Sequence, residues 1–170
     1  MIWVEIIITL LYILTFIGGL KEGVAKSLFS LVTLIIAIPI TGYLYTMLAG
    51  VFTFIPDEIW ANFLAFMVTF IIASIILSLI FLIPRRILEA AWPKGFISSI
   101  LGGFFAILGF SFSMVLFVIL INTYPIFDWL IQLLISSQIM NWLLHSFDFI
   151  QFMLPEVFRN SITAIMAIPV

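Results

Sequence analysis

Asn141, His145 and Asp148 recur at spacings of four and three. On a helix these spacings place the three side chains on one face. An imidazole beside a carboxylate is a pairing that can hold a metal ion or pass a proton. His145 is the only histidine in the chain, and there is no cysteine. That excludes two-histidine metal motifs, thiolate sites, disulfides and thiol nucleophiles, and it leaves a Ser-His-Asp arrangement elsewhere without a base. A lone histidine on a polar stripe reads as a polar position, so no metal and no cofactor is expected. Glu5 is the one acid within an apolar span and is a candidate functional acid, because ionisable groups at membrane depth are costly. It lies in the first turn of its span, where its carboxylate reaches water. Ser74 and Ser78, one turn apart, are expected to bond back to their own helix. Paired acids, a nucleophile with its base and a phosphate-binding glycine loop are all missing, so an enzyme is not expected.

The elements that carry these residues follow from composition. Of 170 residues, 65% are hydrophobic and 8% charged, against about 25% charged in a soluble domain. Too few charges remain to cover a globule, so the bulk of the chain belongs in lipid. A basic patch suited to nucleic acid is absent. About 20 apolar residues cross a bilayer core, and four segments meet that length: about 2–20, 27–48, 59–83 and 96–123. The expected fold is an all-α integral membrane protein, with residues 1–125 as a four-helix transmembrane bundle. Residues 126–170 are expected to form an amphipathic segment, one or two helices at the outer membrane surface or packed on the bundle, with polar stripes at 128, 132, 136 and at 138, 141, 145, 148. The first segment lacks a basic start and a small-residue cleavage site, so it reads as a retained span. Asp57, after Pro56, reads as the N-cap of the third span.

Five of the six basic residues, Lys21, Lys26, Arg85, Arg86 and Lys94, fall in the first and third connections. These topology determinants place both connections in the cytoplasm and both termini outside. Within the spans, Pro39 lies three residues before Gly42, a pairing expected to kink the second helix. Ser98, Gly102, Ala106, Gly109 and Ser113 form a narrow small-residue face on the fourth. Such a face lets another helix approach closely, within the bundle, at a subunit interface or along a substrate path.

Three stretches together resemble one family. "WVEIIITLLYILTFIGGLKEGVAKSLFSLVTLIIA" is similar to the N-terminal signature of the colicin V production protein (CvpA) family. Glu5 stands where that signature has an aspartate, and Gly19, Lys21 and Gly23 supply its turn motif, while Glu22 departs from a second basic residue. "FISSILGGFFAILGF" resembles the opening of the family's fourth helix. Gly102 matches its first glycine, Ser98 and Ser99 replace a polar, charged pair, and Ala106 replaces the next glycine. "SSQIMNWLLHSFDFIQFMLP" resembles the family's ending. The resemblance implies a bacterial inner-membrane protein with four spans, linked to colicin V production and envelope homeostasis. The expected role is a small-solute channel or export accessory; the alternative is an oligomeric scaffold that holds a partner. Expected partners are the lipid bilayer and either a second copy or another membrane protein, with no nucleic acid. The topology predicts that tags inserted at residues 22 and 90 are shielded from membrane-impermeant reagents in intact cells; labelling of either would refute it.

Overall fold

The computed structural model describes residues 2–92, 95–124 and 128–153. Lys94, the end of the tail and the Leu-Pro of its closing motif lie outside these residues. The described chain is helical: α1 (Ile2–Glu22), α2 (Val24–Ala49), a 3-10 turn (Gly50–Phe52), α3 (Glu58–Ile80), α4 (Leu82–Ala91), α5 (Phe96–Thr123), α6 (Asp128–Ile135), α7 (Gln138–Ser146) and a closing 3-10 segment (Asp148–Met153). Four of these, α1, α2, α3 and α5, are long and apolar enough to cross a membrane.

The first two spans are joined by one residue. Gly23 has φ 82, a left-handed conformation that L side chains rarely adopt. Its N–H donates to Gly19 O at 2.9 Å. Lys21 and Lys26 therefore sit on helices, in the last turn of α1 and the first turn of α2, and Lys26 pairs with Glu22 across the join. Although α1 and α2 share this turn, they diverge from it, and α5 packs extensively against both. The fold begins as a V with α5 between its arms.

Glycines permit that insertion. A Cβ on Gly102 would lie 2.5 Å from Gly19 O and 2.6 Å from Gly23 C, and a Cβ on Gly19 would lie 2.5 Å from both Ala106 Cβ and Gly102 O. In lipid, with little hydrophobic drive between helices, such close backbone packing is a main source of association. A hydroxyl pair adds to it one level further along. Ser111 Oγ donates to Ile107 O at 2.9 Å, so its 2.8 Å contact with Tyr12 is a bond donated by the tyrosine.

Past Ile80 the chain departs from the span expected to reach residue 83. Pro84 has no N–H to give to the Ile80 carbonyl, and the helix restarts at Leu82. The product, α4, is short and solvent-polar on one side, with Arg85 Nε 2.8 Å from Glu89. At the other end of α3, Asp57 is the N-cap, accepting from Ile59 N at 2.9 Å. α3 packs on the far side of α2, so the order across the molecule is α1, α5, α2, α3.

Lys21, Lys26, Arg85 and Arg86 gather where α1 and α3 end, which we call the basic end. The opposite, tail end holds the main core. Ile38, Tyr45, Phe66, Phe112, Val115 and Ile119 pack there with Met140, Leu143 and Ile150 of the tail. Tyr124 is hydrogen-bonded to Tyr45; burial first, and then this neighbour, raise its hydroxyl above the ordinary tyrosine range, so it stays protonated. Replacing Gly102 with alanine puts a methyl into backbone, and the expected cost is about 1–3 kcal/mol. Gly18, with nothing within 4 Å of its would-be Cβ, should accept alanine without loss. Thermal unfolding of both variants in detergent checks the pair, and equal stability would refute the crossing.

Candidate functional site

α1 and α3 stand at the two ends of the row and do not pack on each other. The row is curved, with α5 and α2 as its floor and α1 and α3 as its walls. It encloses a groove of about 490 Å³ reached by residues of all four helices. From Ser27 to Leu34 on α2 and from Phe70 to Ser78 on α3, at about 1.5 Å per residue, the groove is about 10–12 Å deep, roughly a third of a hydrocarbon core. Beyond that level it gives way to a small apolar cavity of about 130 Å³ beside Phe66, Leu116 and Leu120, and the tail-end core lies past it.

Hydroxyls set the character of the groove. Thr15 comes from α1, Ser27, Ser30 and Thr33 from α2, Ser74 and Ser78 from α3, and Ser113 from α5. Phe70, Phe105 and Phe110 separate them. Hydroxyls in membrane helices are usually silenced by bonding back to their own backbone. Thr69 does so to Ala65 O, Thr123 to Ile119 O and Ser113 to Gly109 O, at 2.6, 2.8 and 3.0 Å. Ser27 does not. It is 3% exposed, and its Oγ has no hydrogen-bond partner among the described residues. A buried hydroxyl left unpaired costs about 1–3 kcal/mol. Ser27 lines the groove wall, with its Oγ shielded just behind the surface.

The groove shares Glu22 with a second cavity of about 420 Å³ at the basic end. Lys21, Lys26, Arg85, Glu89, Trp92 and Ser98 line that mouth. Its charges are compensated in part by the Lys26–Glu22 and Arg85–Glu89 pairs, each between residues four apart on the chain. Arg86 is exposed beside it on α4.

The small-residue face of α5 is used in two ways. Ser98 is buried and accepts from Val24 N at 3.4 Å, and Gly102 and Ala106 meet α1 and its turn. Ala106, Gly109 and Ser113 also form floor of the groove. Gly19, Lys21 and Gly23 lie together at the turn beneath it. Pro39 and Gly42 lie further along α2, which runs unbroken past the proline. Thr41 between them is buried with its Oγ1 unpartnered. Glu5 sits outside the groove, at the tail end, where its Oε1 accepts from Gln138 N at 2.7 Å. Gln138 opens α7, whose N-cap Ser137 accepts from Met140 N at 3.2 Å. Glu5 thus supplies an acceptor to a helix N-terminus that has unpaired donors. His145 Nδ1 lies 2.8 Å from Asn141 O, one turn back. Among the described residues no group of three or more acids and histidines is placed to hold a metal ion.

Sequence reasoning missed Thr15, Ser27, Ser30 and Thr33 as a set, and read Ser74 and Ser78 for bonds to their own helix without placing them on a groove. The available signal was hydroxyls one turn apart in separate spans, Ser27 with Ser30 and Ser74 with Ser78. Only the spatial order of the helices joins these pairs into one surface.

The family model described as colicin V production protein matches residues 4–147. No curated protein and no solved structure matches the chain.

The contact from Glu5 predicts that Glu5→Ala loosens the tail from α1, with a loss of about 0.5–1.5 kcal/mol, while Glu5→Gln, which keeps an acceptor, stays near the parent. Amide exchange over residues 137–146 reads the difference, and unchanged protection in the alanine variant would refute the contact.

Proposed function

The chain belongs to the colicin V production protein family, and we propose that it supports toxin production or envelope homeostasis as an export accessory or small channel for a polar solute. It is a multi-pass membrane protein, with four spans and a family assignment that agree. The observation that supports a transport role is the groove of hydroxyls with Ser27 unpaired on its wall. Hydrocarbon offers these groups no bonds, whereas water or a polar solute does. The basic residues around the mouth favour placing it at the cytoplasmic face of the bacterial inner membrane, with both termini outside. In that orientation a solute enters from the cytoplasm and reaches the end of the groove, and the aromatic and aliphatic packing of the tail end is the barrier it has to pass. The lining carries no unpaired charge at depth, which suits a neutral or charge-compensated solute. No catalytic step is assigned.

A second reading rests on Gly109 and Ser113, the part of the α5 small-residue face left open toward the groove. A partner helix seated there would make the protein a scaffold without transport.

Tryptophan at Ser30 or Ser78, both exposed on the groove, fills it without disturbing buried packing. Toxin output from a colicin V-producing host is expected to fall to that of a strain lacking the protein, at unchanged protein level. Leu44→Trp, on an exposed face outside the groove, should leave output unaltered. Normal output from both groove variants would overturn the reading.

A further inference from the structure

The groove is half of a pipe. Its walls, α1 and α3, make no extensive contact, so the gap between them opens sideways at membrane depth. Along that gap Ser30, Ser78 and Ser113 are exposed, and Gly18 on α1 has empty space where a Cβ would stand. A lone chain in a bilayer would present this floor to acyl chains, which offer neither donors nor acceptors. It would also hold a solute no better than an open trough does. The proposed transport role therefore needs something to close the gap.

We propose that a second copy of this chain closes it, related by a two-fold axis along the membrane normal. This rests on the transport reading above and supplies its missing wall. Three observations favour a copy over any other occupant. First, apart from Glu22 at the mouth, the polar side chains on the groove are hydroxyls, and a hydroxyl both donates and accepts, so those on the two walls, Thr15 of α1 and Ser74 and Ser78 of α3, are complementary to one another across the seam while the floor lines the lumen. A lining of carboxylates or amines would demand a partner of opposite sign. Second, neither wall carries a formal charge at depth, so two identical walls meet without like-charge repulsion. Third, a two-fold axis along the groove sets α1 of one copy against α3 of the other, twice over, as an isologous contact requires. At the mouth the same operation brings Glu22, at the end of α1, toward the other copy's α4, which carries Arg85 and Arg86. Ser27 then faces an enclosed, hydroxyl-lined lumen, and the four hydroxyl-bearing helices become eight.

The absence of cysteine makes the test direct, because every introduced thiol is the only one. Gly18→Cys and Ser78→Cys lie on opposite walls near the basic end. Co-expressed as two distinguishable tagged chains and oxidised in native membranes, they should form a mixed disulfide dimer more readily than either forms with itself. Thr15→Cys with Ser74→Cys, about one turn deeper, repeats the test should the first pair fold poorly. Leu44→Cys, outside the groove, should remain monomeric. No mixed dimer at either depth, or equal cross-linking at Leu44, overturns the proposal. In parallel, Ser30→Cys is exposed to a membrane-impermeant thiol reagent from the cytoplasmic side. Labelling without mixed dimers leaves the transport reading standing and removes the second copy. Mixed dimers with Ser30→Cys unlabelled leave the second copy standing and remove the polar path.

Discussion

Everything else in the fold is arranged around the backbone contact of Gly102 with Gly19 and Gly23. There the would-be Cβ of each of two glycines falls 2.5 Å from an atom of the opposite helix, so both positions are closed to any side chain. In water a domain of this size would be held by removing apolar area from solvent; in lipid that term is nearly absent and close packing has to replace it. The contact anchors α5 in the V formed by α1 and α2. Ser98 at one end of α5 accepts from Val24 N, and Tyr12 bonds Ser111 further along. α3 then has only the outer flank of α2 left to pack on, and the four spans form a curved row in place of a closed bundle. The groove is the consequence of that order.

A polar groove inside a membrane protein has a cost that ordinary helices avoid. Thr69, Thr123 and Ser113 show the inexpensive solution, a hydroxyl turned back on the carbonyl one turn earlier. Ser27, in the first turn of α2, does not follow them: its N–H bonds Gly23 O at 3.2 Å, but its Oγ makes no bond among the described residues. It lies four residues past the single-residue turn, so the unpaired hydroxyl stands close to the tightest point of the V.

The four spans were legible because length and hydropathy suffice to mark a helix that crosses lipid, and the motif of Gly19, Lys21 and Gly23 with the opening of α5 was enough to identify the family. The N-cap at Asp57 was legible for the same local reason. Less legible were features that depend on which helix lies beside which. "GGLKEGVAKS" reads as a loop by its charges, yet Gly23 alone makes the turn while Lys21 and Lys26 ride on helices. Glu5 looked like a lone acid near an interface, and its partner, Gln138 N, lies 133 residues away. The hydroxyls of the groove are spread over four spans, and no spacing within any one of them announces a common surface. Ser74 and Ser78 in particular carry the same local pattern whether they bond back or face a cavity.

The tail end explains why a groove this deep stops where it does. Past Ser113 the space between α2, α3 and α5 narrows to an apolar cavity of about 130 Å³ beside Phe66 and Leu120, and α6 and α7 cover the tail end with Ile131, Leu134, Met140 and Leu143. Glu5 bonds the start of α7 to α1, and Tyr124 bonds α5 to Tyr45 of α2. The first tie holds the cover to α1, and the second holds the end of α5, from which the cover continues, to α2. A pathway through this protein would have to part that cover, and it would do so most cheaply at ties made of single hydrogen bonds rather than at the glycine crossing, where backbone meets backbone. The basic end is thus held by backbone against backbone at the glycine crossing, and the tail end by apolar packing with the two hydrogen bonds at its edges.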